Sequence, residues 1–454
     1  MTRAVFHCEL AWLGGEAPAR DVRIDVDDGR IAAVESGAAP PPGAGRLAGL
    51  TLPGLANAHS HAFHRALRGR TQAGAGTFWT WRGDMYRLAA TLDPDSYHRL
   101  ARATFAEMVL AGVTCVGEFH YLHHAPDGKA YADRNEMGAA VLAAAADAGL
   151  RITLLDTCYL GSGIDAEGGL LPVEGAQVRF TDGSVESWTS RIDALSGKAS
   201  PTARIGAAIH SVRAVDEHSM AAVAQWAADR ECVLHAHVSE QPAENEQCRH
   251  AYSRSPMGVL ADCGALSRAF TAVHATHVTE HDVALLAGAH SAVCMCPTTE
   301  RDLADGIGPT GRFREASVAM CLGSDSHAVI DLFEEARAVE LDERLATGRR
   351  GTHAVAELMS AATVNGHRSL GWHEVGRIEP GALADLTSVT LRSPRTAGTD
   401  DVHALAAVVF GGVAADVTDV IVAGEPVVCK GRHRSIEVVD ELDQAIRDVW
   451  NDAR

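Results

Sequence analysis

Eight short apolar runs, each of strand length and mostly separated by helix-length stretches, constrain the fold of this chain more than any other feature. In order they are LTLPGLANAHS, GVTCVGEFH, LRITLLDTCY, RIGAAIHSV, CVLHAHV, AFTAVHATH, SAVCMCP and SVAMCLGSD. Helices are expected near 95–111, 135–148, 216–229, 256–263 and 280–288, with a further segment near 187–196. Strands that are apolar throughout and linked by helices read as a parallel sheet buried on both faces. Eight of them, several ending in polar residues, predict an α/β fold of the (β/α)8 barrel type, with its chemistry at the C-terminal strand ends. A doubly wound open sheet gives the same alternation, and the pattern alone does not separate the two.

The two ends of the chain have another texture. VRIDV and RIAAV alternate as half-buried strands do, and similar short runs return in GALADLTSVTL, LAAVVFGGV (405–413) and DVIVAGEPVVCKG. A small β-sandwich domain built from residues 1–52 and 376–432 is therefore expected beside a barrel spanning 53–375. Ile436, Val439, Leu442, Ile446 and Val449 recur at helical spacing, which predicts a docked amphipathic helix within 433–454.

Charge and cysteines exclude several functions. The formal charge of −19 argues against nucleic acid and anionic membranes, both of which are bound through Lys and Arg. No secretory signal is legible and no apolar stretch is long enough to span a bilayer, so a cytoplasmic protein is expected. Most of the ten cysteines lie in apolar runs, as buried reduced thiols do. Cys294 and Cys296 have no second pair to complete a metal site and read as core packing. The oligomeric state is not legible, and a homodimer stays open.

The candidate chemistry lies at the strand ends. His59 and His61 are two residues apart, so on a strand both imidazoles face one side. With His237 and Asp325 from later strand ends they make three imidazoles and a carboxylate, a donor set suited to Zn²⁺ with one position left for water. Glu240, three residues past His237, is the candidate proton carrier. His274 ends the next strand and is the candidate for polarising the attacking water or the forming tetrahedral intermediate, whose charge Asp325 is expected to manage with it. Taken singly, each of these could be a polar loop residue; the set in this order carries the functional reading.

That order, His-x-His on the first strand, His on the fifth and sixth and Asp on the eighth, resembles the amidohydrolase superfamily. Within it the chain is similar to the formimidoylglutamate deiminases of histidine degradation over essentially its full length. The stretches that carry the likeness are NAHSHAFHRALRG, TFWTWRGDMYR, GEFHYLHH, HSVRAV, HAHVSEQ, CPTTERDLADG and GSDSH. The resemblance implies zinc, a barrel with a β-sandwich, and hydrolysis of N-formimino-L-glutamate to N-formyl-L-glutamate and ammonia. Alternatives are a nucleobase or triazine deaminase using the same metal site, or a non-catalytic barrel scaffold.

Metal count can be read from the lysines. Two-metal relatives bridge their ions with a modified lysine on the fourth strand, but Lys129, Lys198 and Lys430 all fall outside RIGAAIHSV. One metal per chain is expected, with a Glu118 bridge as the less favoured alternative. The implied substrate is a dianion, and arginine's planar fork suits carboxylates. By resemblance Arg82, Tyr121, His210 and Arg213 are its contacts, although the Arg82 stem could simply cover the neighbouring Trp79 and Trp81. His64 stands where family members often carry glutamine, so one further substrate contact has changed character. His123 and His124 read as solvated or as supporting the site from behind.

Overall fold

The eight apolar runs close into a ring. In the computed structural model, which describes residues 3–73 and 76–452, they form the strands Leu55–Ser60, Val113–His120, Arg151–Cys158, Ala203–Ile209, Leu234–Val238, Phe270–His274, Ala292–Met295 and Ala319–Leu322. Each pairs in parallel with the next along the chain. The last meets the first through a parallel bridge between Ser60 and Asp325. The ring decides between the two expected topologies in favour of the barrel.

The closing seam is tight. The Asn57 side chain accepts from the Ser324 N–H at 2.9 Å and donates to the Ser324 hydroxyl at 2.7 Å. A Cβ at Gly323 would stand 2.7 Å from the Cβ of His59, so only glycine lets the eighth strand lie against the first. Helices between the strands start where polar caps satisfy their free N–H groups. Asp93 accepts from Ser96 N at 2.7 Å before the helix Pro94–Leu110, and Asp216 accepts from Ser219 N at 3.0 Å before Glu217–Asp229.

The terminal strands form a second eight-stranded sheet. Arg3–Ala11, Ala19–Asp27, Arg30–Glu35 and Gly45–Pro53 come from the N-terminal end, and Leu386–Val389, Val417–Val422, Glu425–Cys429 and Arg432–His433 from the C-terminal end. The halves join where Gly45–Pro53 runs antiparallel to Leu386–Val389. Phe6, Cys8, Ile24, Leu47 and Ile421 make a small core of its own, while Leu10, Leu50, Leu52 and Val420 join the large core. Beneath the barrel, Arg151 donates through Nε to Asp385 at 2.8 Å and through Nη2 at 3.1 Å, both side chains being buried.

Two expectations about the C-terminal region change. LAAVVFGGV was expected as a strand but forms the helix Ala404–Gly411, packed on the helix Leu332–Thr347. An apolar run of that length suits either element, and here tertiary packing chooses the helix. The final helix runs Val438–Asp452 and buries Ile436, just ahead of it, and Val449, with the Trp450 indole donating to Ala66 O at 2.8 Å. Val439, expected on its buried face, is exposed. Residues 1, 2, 453 and 454 of the two expected terminal segments lie outside the described residues. All ten cysteines are free thiols, and Cys294, Cys296 and Cys321 pack with Ala58 and Val273 in the barrel core.

Candidate metal centre and substrate cavity

Strand geometry aims the nitrogen atoms at one point. His61 presents Nδ1 to the Phe119 carbonyl at 2.9 Å, and His237 presents Nδ1 to the His210 carbonyl at 2.9 Å. A ring nitrogen facing a carbonyl carries the proton, so the Nε2 of each ring is a bare lone pair. His237 Nε2 lies 3.1 Å from His59 Nε2, and Asp325 Oδ1 lies 3.3 Å and 3.4 Å from the Nε2 atoms of His59 and His61. Lone pairs and a carboxylate converging in a buried space repel one another unless a cation lies among them. The donor set fits a borderline divalent ion such as zinc.

Three overlapping groups have ligand atoms within 4.8 Å of one another: His59, His61 and His237; His59, His274 and Asp325; and His61, His64 and Asp325. Burial favours the neutral imidazole at His59, His61 and His237, pushing His61 down to about 3 and His237 well below the ordinary histidine value. Neutral imidazole is the form that ligates a metal. Burial alone would raise Asp325, but its bond to His59 and the nearby imidazoles hold it well below the usual carboxylate range.

Glu240 and His274 face the same centre. His274 Nε2 lies 3.8 Å from Glu240 Oε1 and 3.9 Å from Asp325 Oδ2, while its Nδ1 lies 3.5 Å from Glu300 Oε1. Burial works against the charged imidazole, yet Glu240, Glu300 and Asp325 outweigh it and lift His274 to about 10. Burial raises Glu240 above the ordinary carboxyl value, with His274 and Arg213 opposing. The backbone is left-handed at Ser239 (φ 53°), His274 (φ 67°) and Asp325 (φ 43°). Non-glycine residues adopt this region rarely, and its clustering here aims side chains that regular strands would point elsewhere.

The cavity above these groups has a volume of about 270 Å³. Arg82, Tyr121, His210, Arg213 and His64 all line it, together with Glu240, His274 and Asp325. His64 Nε2 lies 2.9 Å from the Tyr121 hydroxyl, and His64 Nδ1 has no hydrogen-bond partner among the described residues. Among the described residues Arg213 Nε is buried without a hydrogen bond, and the carboxylates of Glu240 and Glu244 lie 3.9 Å from the guanidinium. Arg82 has no carboxylate partner among the described residues; it donates to the Tyr86 hydroxyl and lies over the Trp79 and Tyr86 rings.

Other site features were not legible beforehand. Tyr86, Tyr159 and Trp81 form cavity walls, and Glu300 supports His274 from behind. Trp81 and Tyr86 left a trace inside TFWTWRGDMYR and Glu300 inside CPTTERDLADG, though with no role attached. His123 and His124 are buried, not solvated: His123 Nε2 meets Thr157 O at 2.9 Å and His124 Nε2 meets Asp182 at 3.1 Å. Glu118 belongs to none of the groups that could hold an ion among the described residues. Its oxygens are taken by Ser60 Oγ at 2.6 Å and Ala62 N at 2.7 Å. Lys198 pairs with Asp133 at 3.1 Å on the surface.

A parallel barrel whose strand ends gather three histidines and an aspartate at the floor of a cavity defines the class of metal-dependent barrel hydrolases. The model of the amidohydrolase family matches residues 50–427, and the chain belongs to that family. It is 34% identical over 434 residues to the formimidoylglutamate deiminase of Pseudomonas aeruginosa, covering 93% of this chain and 94% of that one. An amidohydrolase structure from Brucella melitensis superposes with a TM-score of 0.90 at 32% identity, over 98% of this chain and 100% of the other. A zinc-bound adenosine deaminase from Xanthomonas campestris shares the fold, with a TM-score of 0.84 at 22% identity over 99% and 98% of the two chains.

Proposed function

We propose that this chain hydrolyses N-formimino-L-glutamate to N-formyl-L-glutamate and ammonia, in histidine degradation in the cytoplasm, with one zinc ion per chain. The observation that carries the reading is the pair Arg82 and Arg213: both line the cavity of an acidic chain, and among the described residues Arg82 has no carboxylate partner and Arg213 none closer than 3.9 Å. A substrate with two carboxylates supplies the missing partners. The likeness to the Pseudomonas aeruginosa deiminase supports the same choice.

His59, His61, His237 and Asp325 would hold the zinc, which when bound supplies Lewis acidity and a water that ionises near neutral pH. Glu240 takes a proton from the attacking water and hands it to the formimino nitrogen, then passes the proton of the added hydroxyl to the same nitrogen, so the C–N bond breaks to release ammonia. His274, braced through Nδ1 by Glu300, keeps Nε2 toward Asp325 and steadies charge on the oxygen added to the formimino carbon. Tyr121, His210 and His64 complete the substrate contacts around the arginines.

A ring deaminase is the second reading, since Phe78 and Trp81 offer apolar faces to the same cavity. It leaves Arg82 without an anion among the described residues and Arg213 with only the carboxylates of Glu240 and Glu244 at 3.9 Å. Ammonia release from N-formimino-L-glutamate, measured beside a panel of aromatic amines, tests the assignment. Turnover confined to the aromatic amines overturns it.

A further inference from the structure

The end of the cavity around Arg82 is built from hydrogen-bond donors, and a buried glutamine sets their direction. Gln177 Oε1 accepts the Glu174 N–H at 3.1 Å, which fixes the orientation of its amide. Its Nε2 then donates to the Tyr159 hydroxyl at 2.7 Å and the Tyr86 hydroxyl at 3.1 Å. Arg82 Nε donates to the Tyr86 hydroxyl as well. Each tyrosine oxygen thus receives N–H groups from the protein, and its own proton must go elsewhere. The two hydroxyls are near enough for one to bond the other, which satisfies one O–H. The other has no protein acceptor among the described residues, and both tyrosines line the cavity.

Gln177 sits in the short 3-10 turn Gly175–Arg179, and the same turn is tied to the helix Phe78–Thr91 that carries Arg82 and Tyr86. The buried Arg179 guanidinium donates to Leu92 O at 2.5 Å, to Ala89 O and to His124 O at 2.9 Å. A cation on the carbonyls at a helix C-terminus is favourable, and this one holds the helix in register with the turn.

We propose that Tyr86 and Tyr159 are specificity residues that, with Arg82, bind one carboxylate of the substrate, and that Gln177 is the positioning residue that keeps their O–H groups turned toward it. This rests on the dicarboxylate reading above. A guanidinium with phenolic O–H groups and no nearby carboxylate recognises an anion and gives an amine or ring nitrogen nothing comparable.

The test uses zinc-loaded full-length protein, with KM and kcat for N-formimino-L-glutamate and calorimetric Kd for glutarate. Tyr86→Phe and Tyr159→Phe should each weaken glutarate binding and raise KM by roughly tenfold or more, the scale of a hydrogen bond to a charged group, with KM and not kcat carrying the change. Gln177→Glu keeps the shape but turns the donor into an acceptor that draws the tyrosine protons inward. It should therefore harm binding more than Gln177→Leu does. Thermal melting separates folding from binding. Phenylalanine variants with KM and glutarate Kd within about twofold of wild type overturn the proposal. So does a Gln177→Leu variant worse than Gln177→Glu in step with lost melting temperature. If wild type fails to turn over N-formimino-L-glutamate, yet binds glutarate in a Tyr86-dependent way, the deiminase reading falls and the carboxylate cradle stands.

Discussion

Asp325 grips His59 twice across the seam where the barrel closes: its N–H donates to the His59 carbonyl at 3.0 Å, and its carboxylate lies 3.3 Å from His59 Nε2. The residue that closes the ring is also a donor to the candidate metal centre, so metal loading and fold stability should be coupled. Elemental analysis of purified protein should find about one zinc per chain. Chelator-stripped protein should melt at a lower temperature and recover on adding zinc. Two tightly held ions, both needed for activity, would rule out the mononuclear reading.

Glu240 is within 4 Å of both His274 and Arg213 but belongs to none of the candidate ion-holding groups. Glu240→Gln should keep its zinc and lose kcat by roughly 10²–10⁴-fold, the usual scale of a positioned acid/base. Zinc content and kcat measured on the same preparation check this. Proportional loss of both would make Glu240 structural.

Arg82→Ala and Arg213→Ala should each cost kcat/KM about 1.5–3 kcal/mol with the dianionic substrate, as lost charge-assisted hydrogen bonds do. An analogue lacking the matching carboxylate should already be poor with wild type and should lose little more in the variant. The comparison is a cycle over two proteins and two substrates. Strictly additive losses would mean that these arginines only support the fold.

Glu118 is fully buried, and burial pushes its carboxyl up to about 8, against the bonds from Ser60, Ala62 N and Tyr97. An acid raised on folding stabilises fully below its unfolded value near 4.5, and that contribution is lost as pH rises through about 8. Glu118→Gln mimics the protonated form. Urea denaturation across this range should show wild type losing stability toward alkaline pH and the variant doing so less steeply. Parallel pH profiles would show that Glu118 does not carry the dependence.

Arg151 and Asp385 join the barrel to the terminal sheet through two buried hydrogen bonds. Arg151→Ala leaves the Asp385 charge without its cation and should cost about 3–5 kcal/mol in denaturant unfolding. The cavity lies at the opposite ends of the strands, so the folded fraction should keep its KM. A loss below about 1 kcal/mol would show that water replaces the arginine.

The fold and the residues that cluster as candidate ligands were legible because both are written locally. Apolar runs with intervening helices mark the barrel strands and alternation marks the terminal ones, and His59, His61, His237, His274 and Asp325 stand at or just beyond strand ends where any parallel barrel would gather them. LAAVVFGGV was misread because an apolar run of that length has no period of its own to separate strand from helix.

Sequence by itself determined which residues can reach the strand ends; tertiary structure decided which of them meet. Strand alternation alone would have turned Glu240 away from His237, and the left-handed Ser239 brings it back. The barrel closure sets Asp325 against His59, 266 positions earlier in number and unrelated by any local pattern. Gln177, Tyr86 and Tyr159 come from three separate segments, and their donors align only because Arg179 pins the 175–179 turn to the helix that carries Arg82. Local chemistry fixes a side chain's period and reach, whereas convergence depends on long-range closure and on a few strained backbone positions that no repeat in the sequence records.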